Sequence, residues 1–106
     1  MSEVTDRVLV KGDTTRRIHF NTGLDLATDV YVAGDLTIKV QRPDTTTYTM
    51  TTGRQIDDAG TGQVSAQTAS TDLNQEGEYQ VQITASAGGK PTVRSPIMSF
   101  FVESQL

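Results

Sequence analysis

Strict alternation of apolar and polar residues is the feature that most constrains this chain. From Leu36 to Gln41 every second residue is aliphatic, and a similar alternation runs from Tyr79 to Ala85. Successive side chains of a β-strand point to opposite faces, so a period of two predicts strands with one buried face. The residues predicted to face a core are Leu36, Ile38, Val40, Tyr79, Val81, Ile83 and Ala85.

Shorter runs of the same kind cover much of the remaining chain. They lie at residues 8–11, 17–20, 46–52, 63–68 and 92–103. Turn-forming residues separate them, as at Gly12-Asp13, Pro43-Asp44 and the predicted loop 57–62. About seven short strands with such turns predict an all-β sandwich or small barrel. No internal boundary is visible, so residues 1–106 are predicted to form a single domain.

The last predicted strand carries the candidate interaction site. If Phe100 faces the core, then Phe101 faces away from it, together with Ile97. An exposed aromatic residue near an aliphatic one often marks a protein interface, so Ile97 and Phe101 are the predicted partner contacts. The alternatives are a bulge at Ser95-Pro96 or a second buried face. Pro96 also predicts an edge position or a bulge.

Charge and composition argue against several classes of function. The formal net charge is −4, and Arg16-Arg17 is the only adjacent basic pair, so nucleic acid is not an expected partner. The chain has no cysteine, which excludes disulfides and thiolate sites. The polar N-terminus does not resemble a signal peptide, and no apolar run approaches the roughly 20 residues that span a bilayer. We therefore expect a protein made in the cytoplasm, with no membrane partner.

No residue pattern predicts catalysis or a cofactor. His19 is the only histidine, whereas a catalytic triad or a histidine metal site needs further convergent groups. Asp25, Asp29 and Asp35 cluster before one strand, and Asp57-Asp58 lies in a glycine-containing stretch. Loop aspartates of this kind can bind calcium, but ordinary turn chemistry is the preferred interpretation. The prediction is a protein that is not an enzyme, with no catalytic, metal or cofactor residues.

A tyrosine at the start of a strand is the most specific local motif. Leu73 precedes Gly77-Glu78-Tyr79, which opens the longest alternating run. In immunoglobulin-type sandwiches, a tyrosine at this point donates its hydroxyl to the backbone a few residues upstream. Tyr79 is predicted to have this structural role, with Leu73 filling the core beneath it.

The order of these motifs resembles a known family. They are an N-terminal strand with Gly12-Asp13, the Ile18/Phe20 strand, Asp25-Leu26, the strand 36–40, Arg42-Pro43-Asp44, the Val64 strand and the Leu73 to Tyr79 corner. In this order the chain resembles the small immunoglobulin-like domains of tailed-bacteriophage virions, such as the N-terminal domain of baseplate upper proteins. Those relatives commonly have Pro-Asp-Gly after the strand, where this chain has Pro43-Asp44-Thr45, and residues 31–34 resemble an insertion.

The resemblance implies an immunoglobulin-like antiparallel β-sandwich of about seven strands. It also implies a non-catalytic structural component of a virion, in the tail, baseplate, neck or capsid surface. Such a component would contact other virion proteins and form a homo-oligomer or occur in several copies. The alternative is a carbohydrate- or receptor-binding module. That alternative needs exposed aromatic residues, and Tyr31 is the only tyrosine not predicted to face the core.

Overall fold

The computed structural model describes residues 2–5 and 9–104. The strands are β1 (Glu3–Val4), β2 (Leu9–Val10), β3 (Arg17–Asn21), β4 (Leu36–Gln41), β5 (Thr47–Met50), β6 (Gln55–Asp58), β7 (Gln63–Gln67), β8 (Gly77–Ala85), β9 (Val93–Arg94) and β10 (Met98–Glu103). A single 3₁₀ turn at Ala33–Asp35 leads into β4. No helix within these two described ranges is long and apolar enough to cross a membrane.

The strands form two sheets in a sandwich-like arrangement. One sheet has four strands in the order β1-β3-β7-β6. The other has six, in the order β2-β10-β8-β4-β5, with β9 also pairing with β8. The predicted all-β fold is therefore confirmed, and so is its sandwich character. One pairing departs from an antiparallel sandwich: β2, at the end of the six-stranded sheet, runs parallel to β10.

Ten strands occur in the described ranges, rather than about seven. The run predicted at 92–103 is split into β9 and β10, and β1 was not predicted. Strand β6 occupies part of the stretch 57–62, so the loop prediction is wrong for Asp57 and Asp58. These two residues were predicted in a loop because aspartate has little intrinsic preference for strands, and they form a strand by pairing with β7. Val8, predicted in the first strand, lies outside the described residues; its neighbour Leu9 is buried.

The two alternating runs form the centre of the core. Strands β4 and β8 pair antiparallel, with Ile38 opposite Ile83 and Val40 opposite Val81. All four side chains are at most 2% exposed. Burying an aliphatic side chain of this size contributes about 1.5–3 kcal/mol, so this ladder is a main source of stability. The predicted core residues of both runs are confirmed as buried, including Leu36, Tyr79 and Ala85.

Tyr79 fixes the connection that enters β8. Its hydroxyl donates to the Gln75 carbonyl oxygen at 2.8 Å and accepts from the Gln75 amide at 3.0 Å. The ring is fully buried and stacks on Phe100, with 5.1 Å between centroids. Leu73 is 1% exposed. The predicted structural role of Tyr79 and the core position of Leu73 are both confirmed.

The turn between β4 and β5 forms without a glycine, although glycine is common at this point in the family that the sequence resembles. The Thr45 amide donates to the Arg42 carbonyl at 2.9 Å, and the Arg42 amide donates to the Thr46 carbonyl at 2.8 Å. Thr45 has a φ of 72°, so a β-branched residue occupies the left-handed position. The Asp44 carboxylate accepts from the Thr46 amide at 3.0 Å and holds the turn closed.

Candidate functional site

Ile97 and Phe101 lie on the solvent-facing side of the six-stranded sheet, which we call the outer face. Their exposed fractions are 65% and 58%. Strand β10 alternates regularly, so Met98, Phe100 and Val102 are buried while Ser99 and Phe101 are exposed. The predicted orientations are therefore confirmed, whereas a role as partner contacts stays a prediction.

The surroundings of this pair are polar: Lys39 is the charged residue in the groove beside Ile97, whereas Glu76 and Glu103 lie beside Phe101. Phe101 lies opposite Glu78, and Ser99 lies opposite Gln80. A shallow groove on the outer face is lined by Lys39, Gln41, Thr47, Gln80, Val81, Gln82 and Ile97. Apolar side chains within a polar surround are the pattern of a protein-binding patch, in which the apolar residues contribute affinity and the polar rim remains wet.

Pro96 interrupts the last predicted strand, and Ser95 supplies hydrogen bonds at the interruption. Pro96 has no amide hydrogen, so the ladder with β8 cannot continue through it. Ser95 replaces the missing pairing, because its hydroxyl accepts from the Ile83 amide at 3.0 Å and its own amide donates to the Ile83 carbonyl at 2.8 Å. The predicted irregularity at Ser95-Pro96 is thus present. It does not bury Ile97 or Phe101.

The exposed position expected for Tyr31 is wrong. Tyr31 is 4% exposed, and its hydroxyl donates to the Pro91 carbonyl oxygen. Lys90 lies 5.7 Å from the ring centroid and donates to the Val30 carbonyl at 2.8 Å. The β3–β4 and β8–β9 connections therefore brace each other at one end of the sandwich. Alternation could not predict this burial, since Tyr31 lies in an irregular loop.

The same loop exposes two aliphatic side chains that the sequence did not single out. Val30 is 66% exposed and Val32 is 58% exposed. Val30 also has a φ of 55°, which is unusual for a β-branched residue. No periodic signal marks these residues, because a period of two identifies exposed faces only within strands.

The aspartates considered for calcium do not converge. The Asp25 carboxylate accepts from the amides of Ala27 and Thr28 and from the Thr28 hydroxyl, and these hydrogen bonds lower its pKa. Asp35 accepts from the Val32 amide at 2.9 Å. Among the described residues there is no group of three or more histidines, aspartates or glutamates that could hold a metal ion.

Tyr48 is partly buried, whereas His19 is exposed to solvent. The Tyr48 hydroxyl donates to the Asp72 carbonyl at 2.9 Å, and Arg42 lies 4.2 Å from its ring centroid. Burial, followed by the nearby charge of Asp72, raises the pKa of Tyr48 well above its ordinary value. His19 is exposed on β3, opposite Ser65, as its alternation predicts.

Comparison with known proteins gives no family for this chain. No protein-family model matches it, and no curated protein matches it.

Proposed function

We propose that this chain is a non-catalytic structural component of a bacteriophage virion, and that it assembles through protein–protein contacts of its outer face. The contacts would centre on Ile97 and Phe101. The proposed partners are other virion proteins and further copies of the chain. The proposed location is the tail, baseplate, neck or capsid surface, after synthesis in the host cytoplasm.

The strand order supports the finer assignment to immunoglobulin-like sandwiches. In that architecture one sheet contains the first, second, fifth and fourth strands, and the other contains the third, sixth and seventh. Here β1-β3-β7-β6 correspond to the first set, and β4, β8 and β10 to the second. The Tyr79 hydroxyl bond to the backbone four residues upstream is a further hallmark of these domains. Both features agree with the resemblance to virion domains.

The observation that carries the proposed mode of action is the exposure of Phe101. A phenylalanine that is 58% exposed leaves much apolar surface in water. Full burial of such a side chain contributes about 1.5–3 kcal/mol, so covering the exposed 58% would contribute about 0.9–1.7 kcal/mol, the size expected of a residue that matters to an interface. Ile97, on the same face and 65% exposed, would extend the covered area.

The burial of Tyr31 weakens the competing assignment to a carbohydrate-binding module. Sugar sites commonly use exposed aromatic rings as stacking platforms. Tyr31 and Tyr79 are buried, and the Tyr48 ring is covered by Arg42. Phe101 is exposed on the outer face, and the hollow beside it is lined by Glu76, Gly77, Val102, Glu103 and Ser104, which supply no second aromatic platform.

Co-sedimentation with particles tests the proposal. Particles from cells that encode the chain are purified on a density gradient and probed with antibodies to the recombinant protein. We expect the chain in the particle fraction, and Phe101→Asp should lose at least about tenfold in incorporation, equivalent to 1.4 kcal/mol. Its presence only in the soluble fraction would refute the virion assignment.

Thr37→Asp provides the matched control for this experiment. Thr37 is exposed on β4, opposite Thr84. Its replacement by aspartate changes the charge of the chain by the same amount as Phe101→Asp. Thr37 pairs with Thr84 of β8, and Phe101 pairs with Glu78 of the same strand. These two β8 residues are six positions apart, so Thr37 and Phe101 are separated by about 20 Å along the strands. Equal incorporation of Phe101→Asp and Thr37→Asp would show that the pair does not form the contact.

A further inference from the structure

The four end strands of the two sheets differ in how they are protected. Within the described ranges, strands β1 and β2 have two residues each, too short to template another strand. Strand β6 carries Asp57 and Asp58 and has a register shift between Ile56 and Asp58. Charges and bulges of this kind discourage pairing with another chain.

Strand β5 has none of these protections. It spans Thr47–Met50 at the end of the six-stranded sheet, and its far side pairs with no other strand in the described ranges. It lies in the segment 45–52, which reads Thr-Thr-Thr-Tyr-Thr-Met-Thr-Thr and has no charge and no proline. Threonine and tyrosine both favour strands. The segment therefore presents an uncharged edge of high strand propensity.

The register shows which backbone groups of β5 are unpaired. Arg42 donates its amide to the Thr46 carbonyl, so this pair is a hydrogen-bonded pair of the β4–β5 ladder. Hydrogen-bonded and non-hydrogen-bonded pairs alternate in antiparallel sheets. Tyr48 and Met50 therefore bond to β4, whereas the amide and carbonyl groups of Thr47 and Thr49 point away from it.

We propose that the β5 edge pairs antiparallel with β5 of a second copy of this chain, so that one sheet continues across a two-fold dimer. With the axis at Tyr48, Thr47 faces Thr49 of the second copy, and the reverse pair follows by symmetry. Each such pair exchanges two backbone hydrogen bonds. A second copy fits because every alignment that pairs the outward-pointing residues places threonine opposite threonine, which is a favourable cross-strand pair. The symmetric pairing also places no charged residue opposite the same residue of the second copy.

The dimer would be weak in isolation. A four-residue edge buries far less than the roughly 1,200–2,000 Å² of a standard stable interface, so we expect a dissociation constant on the order of 100 μM. The pairing would also place two Phe101 residues on one continuous face, separated by about 34 Å across the strands, since neighbouring strands lie about 4.8 Å apart. The inference does not depend on the proposed function, because it rests on the edge alone.

Sedimentation equilibrium of the purified chain from about 10 μM to 1 mM tests this pairing. The mean mass of the parent should rise from monomer towards dimer over this range. Thr49→Pro removes an outward amide without removing a bond to β4, and it should remain monomeric. Thr49→Lys adds a charge to the edge and should also remain monomeric, which decides the test if the proline variant does not fold. Thr37→Lys, on the same face of β4, should dimerise as the parent does.

Amide hydrogen exchange gives a second readout at single residues. Protection of the Thr47 and Thr49 amides should grow with protein concentration, while that of Tyr48 and Met50 should be high throughout. A parent that stays monomeric at 1 mM would overturn the proposal, as would a folded Thr49→Lys variant that dimerises like the parent. Dimerisation that Phe101→Asp abolishes and the Thr49 variants leave intact would place the contact elsewhere and overturn it too.

Discussion

Replacement of Thr45 by glycine should stabilise the protein, although glycine usually destabilises strand proteins. Thr45 has a φ of 72°, in the left-handed region. For residues other than glycine this conformation costs about 1–2 kcal/mol, because Cβ approaches the following carbonyl oxygen. The Thr45 side chain is exposed, so its removal leaves no cavity in the core.

The net gain is smaller than the relieved strain. Glycine makes the unfolded chain more flexible, which costs about 0.4–1 kcal/mol on folding. The free energy of unfolding of Thr45→Gly should therefore rise by about 0.5–1 kcal/mol, and the melting temperature by about 2–6 °C for a domain of this size. Chemical denaturation followed by circular dichroism measures the first quantity, and calorimetry the second.

Thr47→Gly is the matched control, because Thr47 is also exposed but lies within β5. Because Thr47 has no strain to relieve, its replacement by glycine should lower the free energy of unfolding of the protein by about 0.5–1 kcal/mol. The two variants should thus differ by about 1–2 kcal/mol, in opposite directions from the parent. If Thr45→Gly is destabilised as much as Thr47→Gly, the proposed strain at this turn is absent.

Three further substitutions test the contacts that hold the sandwich together. Tyr79→Phe removes both hydrogen bonds to Gln75 and should cost about 1–3 kcal/mol in urea denaturation, whereas an unchanged midpoint would contradict the structural role of the hydroxyl. Ser95→Ala leaves the buried Ile83 amide without its acceptor and should cost about 1–3 kcal/mol by the same assay; a loss below about 0.5 kcal/mol would show that the hydroxyl is not needed. The pKa of Tyr48 is raised by burial, so the unfolded chain ionises first above about pH 10, and the free energy of unfolding should fall as pH rises from there. Tyr48→Phe should flatten that fall, and an identical pH profile would contradict the raised pKa.

The sequence predicts the strands that alternate regularly. In β4, β8 and β10 one face packs in the core and the other faces water. The alternation of apolar and polar residues in these strands therefore predicts which side chains are buried. The buried Tyr79 corner could be predicted for a similar reason, because its tyrosine lies at a fixed offset from the strand start. The orientation of Phe101 followed from that of Phe100.

Features that depend on contacts distant in the chain could not be predicted from the pattern. Strand β6 has two aspartates and forms because β7 offers it a pairing edge. Strand β2 runs parallel to β10, which lies about ninety residues later in the chain. Tyr31 is buried because its hydroxyl meets Pro91, 60 positions away. Such contacts leave no periodic signal in the local sequence.

Cross-linking from position 101 tests the central claim most directly. A photoreactive phenylalanine derivative replaces Phe101 in producing cells, and the same derivative at His19, exposed on the other sheet, serves as the control. After irradiation of purified particles, we predict a covalent adduct between position 101 and another particle protein or a second copy, with much less from position 19. Particles that contain the chain but yield no adduct from position 101 would contradict the claim that the chain assembles through its outer face.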